Sequence, residues 1–208
     1  MKRIFDAQLL GPLAAMLLVA LVVALTTDRF LDSGNLSNLA LQVAIVSLIA
    51  IGSSIVIFAG GIDLSSGSMV ALLTMVLATL LRDLGIPFWP TLIGVLVLGT
   101  LLGGLNGVLT AFLRIPSFIV TLSGLIAYRG LALMFNNGSP IFSLHPNLEP
   151  VFYGSVFGIP LPFFYIVAFY GAATVLMINT RLGREIYAVG GNPAAARLSG
   201  INVRRVQT

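Results

Sequence analysis

Long stretches with few or no charged residues constrain this chain more than any other feature. Six of them approach the length of about 20 residues that a helix needs to cross the hydrocarbon core of a membrane. They are Leu9–Leu25, Leu39–Ala59, roughly Asp63–Leu81, Thr91–Leu113, Pro116–Phe135 and Leu161–Ile178. Only 9% of the residues are charged, whereas soluble domains contain about 25%. The sequence therefore predicts an all-α fold, a polytopic membrane protein with about six transmembrane helices.

The basic residues predict how these helices are oriented. If the N-terminus lies in the cytoplasm, eight of the 11 Lys and Arg residues are also cytoplasmic, which is the usual bias of membrane proteins. Of the other three, Arg29 and Arg82 lie outside and Arg129 lies within a span. Residue 208 is then cytoplasmic too. The basic residues are few and scattered, so their distribution favours membrane orientation over nucleic acid binding. The cytoplasmic ones are Lys2, Arg3, Arg114, Arg181, Arg184, Arg197, Arg204 and Arg205.

Residue types that carry catalysis or bind metals are scarce. The chain has no cysteine and a single histidine, His145, in a polar loop. It has neither a Gly-x-x-x-x-Gly-Lys-Ser/Thr phosphate-binding loop nor a nucleophile paired with a base. We therefore expect no enzyme activity, no catalytic residue, no metal site and no cofactor in this chain.

The segment Gly60–Ser68, GGIDLSSGS, interrupts an apolar region and predicts a broken helix. If the next helix began only at Met69 it would hold 13 residues, about 20 Å and too short to span the membrane. The break must therefore lie partly within the membrane, with Asp63 at the start of the next helix. As an N-cap, Asp63 would accept a hydrogen bond from the N–H of Ser65 or Ser66, and the spacing fits this role directly. Alternatively, Asp63 contacts a solute, since ionisable groups inside membranes are commonly functional.

The fourth span carries a row of small residues. Gly99, Gly103 and Gly107 recur every four positions, a pattern that lets helices pack closely. Asn106 lies beside the last glycine. It could hold helices together or line a solute path.

The fifth span carries a polar stripe. Ser117, Thr121, Gly124 and Tyr128 share one helical face, which should point to protein or water and not to lipid. Arg129 lies near the outer end, about 20 Å along the helix from Pro116. It could extend to the outer membrane interface or contact a solute.

The polar tail Asn179–Gln207 contains a short helix signal. Asn192 is a suitable N-cap, Pro193 suits the first helical position and Gly200 suits the C-terminal end. Two helical turns are not stable alone in water, where about 12–15 residues are needed. The helix must therefore pack on the protein itself or bind a groove in a partner. We divide the chain into a transmembrane region, 1–178, and a cytoplasmic loop, 179–208.

Four motifs together resemble the permease subunit of bacterial ABC importers for monosaccharides, of the ribose and xylose type. They are GGIDLSSGSMVAL, RIPSFIVTLSGLIAYRG, NNGSP and TRLGREIYAVGGNPAAARLSGINV, and the resemblance runs from about Asn38 to Gln207. It implies an inner-membrane protein that forms a sugar path and performs no chemistry itself. Implied partners are cytoplasmic ATP-binding ABC subunits, a periplasmic sugar-binding protein, a second permease copy or sister permease, and membrane lipid. Members of this family continue through further spans, so we expect a truncated product or a fragment.

The resemblance and the polar pattern together select two sets of candidate residues. The first is a substrate path, comprising Asp63, Ser65, Ser66, Asn106, Thr121, Tyr128 and Arg129. The second, implied by the resemblance, couples the protein to its ATPase, and comprises Arg181, Gly183, Arg184, Gly190, Gly191, Asn192, Pro193, Ala195, Arg197, Leu198 and Gly200. Two alternatives remain from sequence. An ion-coupled secondary transporter also uses broken helices, and a membrane scaffold would transport nothing.

Overall fold

The computed structural model describes residues 7–141, 146, 148–157 and 159–208. Lys2, Arg3 and His145, which entered the sequence analysis, lie outside the described residues. The chain divides into two compact units, Met1–Val43 and Ala44–Thr208. In chain order the α-helices are α1 Ala7–Thr26, α2 Ser33–Phe58, α3 Ser66–Arg82, α4 Phe88–Leu113, α5 Ser117–Met134, α6 Glu149–Tyr153, α7 Leu161–Asn179, α8 Arg181–Gly191, α9 Pro193–Leu198 and α10 Val203–Gln207.

Each of the six predicted spans corresponds to a helix. Within the described residues, four helices are long and apolar enough to cross a membrane: α2, α4, α5 extended by the 3-10 turn Phe135–Gly138, and α7. Leu10–Thr26 of α1 and Ser66–Arg82 of α3 are shorter apolar helices. The prediction of an all-α, polytopic membrane protein is confirmed.

The helix break lies where the sequence predicts it. Gly60 adopts the left-handed conformation, with φ of +81°, which glycine adopts without steric strain. Its N–H donates to the carbonyl of Ile57, and the N–H of Gly61 donates to that of Val56, both at 2.9 Å. These two bonds form a Schellman motif, which satisfies the last carbonyls of α2 and ends the helix. The following helix begins at Ser66 and not at Asp63 as we predicted.

Helices α3, α4 and α5 pack into the core that supports the break. Leu72 on α3 and Tyr128 and Ala132 on α5 are buried together, and Leu102 of α4 packs against them. The face of α5 that the sequence analysis assigned to protein or water thus packs on protein.

The three glycines in the row on α4 have different neighbours, and they do not all lie at a close contact between helices. A Cβ atom on Gly99 would lie 2.9 Å from Cδ1 of Leu73, so α3 and α4 approach closely there. A Cβ on Gly103 would meet no heavy atom within 4 Å. Gly107 instead faces the tail, where its Cβ would lie 2.5 Å from the carbonyl oxygen of Thr208. The prediction of close helix packing is therefore right for Gly99 and wrong for Gly103.

Three short helices form the polar tail. Val189 of α8, Ala196 of α9 and Val203 of α10 are buried against each other and make a small core of their own. Gly183 lies at the start of α8, where any Cβ would overlap the carbonyl oxygens of Leu176 and Met177. Glycine is therefore required for the tight turn from α7 into α8.

The long segment between α5 and α7 holds α6 and a small hairpin. Strands β1, Ser155–Val156, and β2, Ile159–Pro160, pair antiparallel. The hydroxyl of Tyr165 on α7 donates to the carbonyl of Val151 on α6 at 3.1 Å.

Candidate functional site

Asp63 organises the irregular segment between α2 and α3. Its Oδ1 accepts hydrogen bonds from the N–H of Ser65 at 2.8 Å and from the Ser65 hydroxyl at 2.7 Å. The N-cap of α3 is Ser65, so Asp63 lies two residues before the cap and forms a turn that leads into it. A carboxylate at this position also interacts favourably with the positive end of the helix dipole. The bond to Ser65 was expected, whereas the N-cap assignment of Asp63 was wrong.

Hydrogen bonds continue from Ser65 to the neighbouring helices. The amide of Asn106 on α4 donates to the Ser65 hydroxyl at 3.1 Å, and the hydroxyl of Tyr128 on α5 donates to the Asn106 carbonyl oxygen at 3.1 Å. Ser65 is fully buried. Gly124 allows this arrangement, because a Cβ there would lie only 3.2 Å from the Ser65 Cβ. Asn106 therefore joins three helices through one polar network.

The backbone of the break is bonded to the start of α5. The N–H of Ile62 donates to the Ser117 hydroxyl at 3.0 Å, and the carbonyl of Ile62 accepts from the Thr121 hydroxyl at 3.1 Å. Irregular backbone at membrane depth persists only where such groups find partners or line a cavity. The polar stripe of α5 thus has a clear structural role in supporting the break.

A cavity of about 970 Å³ borders the break. Its walls come from residues 59–63, from α4, from the start of α5 and from the α8–α10 tail. Asp63, Asn106 and Thr121 line it. Ser65 and Tyr128 are buried behind this wall and bond to Asn106. Five of the seven candidate path residues therefore lie together.

Two candidate path residues lie apart from this cluster. Ser66 is half-buried and Arg129 is exposed, and neither is among the residues that line the cavity. The exposure of Arg129 fits the alternative in which its side chain extends to the membrane interface.

Basic residues border the same cavity in its tail-facing part. Arg114, Arg197 and Arg204 line it. Arg114 adopts a left-handed conformation, with φ of +57°, between α4 and α5. The Arg204 guanidinium lies over the ring of Phe112, 5.5 Å from its centroid, a cation–π geometry. The cavity is therefore polar at the break and cationic near the tail.

Helix α9 forms as its sequence predicts. The side chain of Asn192 accepts from the N–H groups of Ala194 and Ala195, both at 3.0 Å, and Pro193 occupies the first turn. The N–H of Gly200, with φ of +82°, donates to Arg197, and the N–H of Ile201 donates to Ala196. These bonds form a second Schellman motif, and both predicted helix ends are confirmed.

The protein itself supplies one of the two supports expected for α9, and the groove of a partner stays a prediction. Ala196 is 4% exposed and packs against Val189 and Val203, so the protein holds the helix itself. The remaining residues of α9 are exposed, and the Leu198 side chain is 91% exposed. A surface apolar side chain on a preformed helix is suited to a partner groove.

Helix α8 contains the remaining coupling candidates and was missed as a helix. Arg181 and Arg184 are exposed, and Arg181 pairs with Glu185 one turn away at 2.7 Å. The helix could have been predicted from Thr180, whose hydroxyl accepts from Gly183 at 3.2 Å, and from the buried residues Ile186 and Val189. Gly190 is half-buried and Gly191 is exposed.

The chain matches one family model and several curated relatives. Residues 35–208 match the model described as "Branched-chain amino acid transport system / permease component". A ribose import permease protein of Haemophilus influenzae is 37% identical over 94% of this chain and 61% of the relative. The corresponding protein of Bacillus subtilis is 38% identical over 99% of this chain and 65% of the relative. A xylose transport system permease protein of Escherichia coli is 31% identical over 97% of this chain and 67% of the relative.

The matches extend along nearly all of this chain but not along all of its relatives. The chain spans 61% to 67% of the length of the three relatives described above. All three are named as permeases and none as an enzyme. No solved structure matches the chain.

Proposed function

The chain belongs to the family of branched-chain amino acid transport system permease components, and from that premise we propose that it forms part of the permease of an ATP-driven sugar importer. The relatives named for ribose and xylose import favour a monosaccharide as the solute. The chain is proposed to lie in the bacterial inner membrane, with its N-terminus and residue 208 in the cytoplasm. The observation that carries the solute path is the helix break, whose polar groups border the cavity.

The cavity suits a neutral, hydroxyl-rich solute. Its volume of about 970 Å³ falls within the range of about 300–1,000 Å³ typical of small-molecule sites. Asp63, Asn106 and Thr121 offer hydrogen-bond donors and acceptors, while most of the wall is apolar. We assign direct solute contact to these three residues and a supporting role to Ser65 and Tyr128. Ser66 and Arg129 are assigned no solute contact.

The tail supplies the proposed link to the energy source. In this proposal α9 docks in a groove of a cytoplasmic ATP-binding ABC subunit, and Leu198 is the apolar anchor. Burying one leucine side chain stabilises a complex by about 1.5–3 kcal/mol, which is large for a helix of this size. Arg181, Arg184, Asn192, Pro193, Ala195 and Arg197 complete the exposed surface. Gly183, Gly190, Gly191 and Gly200 shape the backbone that presents it.

Further partners follow from the same proposal. A periplasmic sugar-binding protein delivers the solute, and a second permease copy or a sister permease completes the path across the lipid bilayer. ATP hydrolysis takes place in the ATP-binding subunits and shifts the permease between inward-open and outward-open states. The chain itself needs no cofactor and binds no nucleic acid.

Reconstitution tests the proposal. The permease is placed in proteoliposomes together with its ATP-binding ABC subunit and its sugar-binding protein. Uptake of labelled ribose is then measured with and without ATP. We expect uptake that needs ATP and that unlabelled ribose, xylose or allose reduces, while leucine does not. Uptake driven by a proton or sodium gradient without ATP would show a secondary transporter instead. ATP-driven uptake of labelled leucine, with none of labelled ribose, would move the solute class to amino acids.

A further inference from the structure

At Gly190, the backbone of helix α8 lies directly against the backbone of Phe58 and Gly60. A Cβ atom on Gly190 would overlap the carbonyl oxygen of Phe58, and it would lie 2.9 Å from the Phe58 carbonyl carbon and 3.1 Å from the nitrogen of Gly60. Seen from the other side, a Cβ on Gly60 would lie 3.3 Å from the Cα of Gly190. Glycine is therefore required at position 190 for this approach, and Gly60 leaves little room on the opposite side.

A ring contact extends this interface along α8. The rings of Tyr187 and Phe58 lie 5.1 Å apart at 44°. Tyr187 and Gly190 are three residues apart and so share one face of the helix. The last residues of α2 and the first of the break thus rest on a single face of α8.

Helix α8 is in turn packed firmly against α9. Val189, next to Gly190, is fully buried, and it contacts Ala196 of α9 in the small core of the tail. Close-packed interiors are stiff and transmit strain. A displacement of α9 is therefore passed to α8.

The end of the break nearer α3 is hydrogen-bonded to α5 and borders the cavity. Ile62, two residues after Gly60, is bonded to Ser117 and Thr121 on α5. Asp63 follows at once in the cavity wall. A displacement of Gly60 therefore acts on the short segment from Gly60 to Ile62. Hydrogen bonds to α5 hold this segment at Ile62, and the next residue, Asp63, borders the cavity.

We propose that the contact of Gly190 with Phe58 and Gly60 transmits the motion of α8 and α9 to the helix break. Gly190 is thus a positioning residue: it touches neither solute nor ATPase. The inference rests on the proposed function, in which an ATPase moves α9. Backbone contact suits this task because no side-chain rotamer intervenes to absorb the displacement.

Glycine-to-alanine variants of the assembled importer test the contact. Gly190→Ala inserts a methyl group into the interface, while Gly52→Ala on α2 places it in open space and serves as the matched control. We expect both variants to bind the ATPase. Sugar uptake per ATP hydrolysed should fall about tenfold in Gly190→Ala, within the range of coupling between protein sites, and should stay normal in Gly52→Ala. Equal coupling in the two variants would overturn the inference.

A reversible cross-link provides a second arm that does not depend on how well Gly190→Ala folds. The chain contains no cysteine, so Phe58→Cys with Tyr187→Cys can be joined by a short, cleavable thiol reagent. Because the contact passes the displacement on as a rigid link, we expect the cross-linked protein to keep its ATPase binding and its sugar uptake per ATP hydrolysed, and cleavage to change neither. Loss of uptake that cleavage restores would show that α8 must move away from α2, and it would overturn the inference alone. A wild-type importer without ATP-driven uptake would refute the proposed function, and the inference with it.

Discussion

At the scale of single residues, the hydrogen bonds of Ser65 explain why several polar side chains meet inside an apolar protein. Asp63 and Asn106 both bond to the Ser65 hydroxyl, which accepts from Asn106 and donates to Asp63. A hydroxyl can play both parts at once, whereas a carboxylate only accepts. Ser65 is fully buried, so loss of Asp63 leaves its N–H and its hydroxyl hydrogen without the acceptor that both now use.

Substitutions of Asp63 distinguish its role as a hydrogen-bond acceptor from the role of its negative charge. Asp63→Asn keeps an acceptor oxygen for Ser65, so we expect normal expression, thermal stability and sugar uptake. Asp63→Ala leaves the Ser65 N–H and hydroxyl without that acceptor and should destabilise the protein by about 1–3 kcal/mol. Thermal unfolding in detergent and uptake in proteoliposomes measure the two effects. A stable Asn variant without uptake would mean that the charge itself contacts the solute.

The glycines of α5 offer a test of the tight contact beside Ser65. Gly124→Val would crowd the Cβ of Ser65 and the ring of Tyr128, each 3.2 Å from the new Cβ. Overpacking of this kind costs about 1–3 kcal/mol. A Cβ at Gly130 on the same helix would meet no heavy atom within 4 Å, so Gly130→Val is the control. We expect a lower melting temperature for the first variant than for the second, and equal melting temperatures would contradict the close packing described here.

At the scale of helices, features set by residues close together in sequence could be predicted, whereas contacts between residues far apart in sequence could not. Helix α9 was predictable because its cap, its proline and its final glycine lie within nine residues of each other. The predicted N-cap of α3 was misplaced by two residues, because aspartate and serine both suit that position and only the fold selects Ser65 over Asp63. The contact between Gly190 and Phe58 joins residues far apart in sequence, and no local pattern indicates it.

Two substitutions on α9 distinguish its inner residue from its outer one. Leu198→Asp changes a side chain that is 91% exposed, so folding and membrane insertion should be normal. It should nevertheless abolish ATPase pull-down and sugar-stimulated ATP hydrolysis, because the apolar anchor is lost. Ala196→Asp, at a position that is 4% exposed, buries a charge and should destabilise the tail itself. Wild-type ATPase binding by Leu198→Asp would mean that α9 is only a packed turn.

At the scale of the whole molecule, the order of the helices agrees with the spans expected from sequence, while their sidedness still rests on the distribution of Lys and Arg. Four described helices have the length and apolarity to cross a membrane. Along the chain, the hairpin β1–β2 comes directly before α7, and helix α9 comes after α7 and α8. If α7 crosses the membrane, these two elements lie on opposite sides.

Cysteine labelling tests that arrangement. Ser155→Cys on the hairpin and Ala194→Cys on α9 are both exposed, and the chain has no other cysteine to react. With a membrane-impermeant thiol reagent, we expect Ser155→Cys to react in intact spheroplasts and Ala194→Cys only after lysis. Ala196 would be a poor probe, since it is buried. The reverse labelling pattern would invert the proposed topology.

The bonds that hold the helix break also impose an order on biosynthesis. The partners of Ile62 and Ser65 lie 41 to 59 positions further along the chain. At about 5–20 residues per second, a ribosome needs roughly 2–12 s to add those positions. Until α4 and α5 emerge, the polar groups of the break lack these partners, and they must stay in contact with water or with the insertion machinery. Translation speed over residues 66–121 therefore sets how long the break waits for these partners.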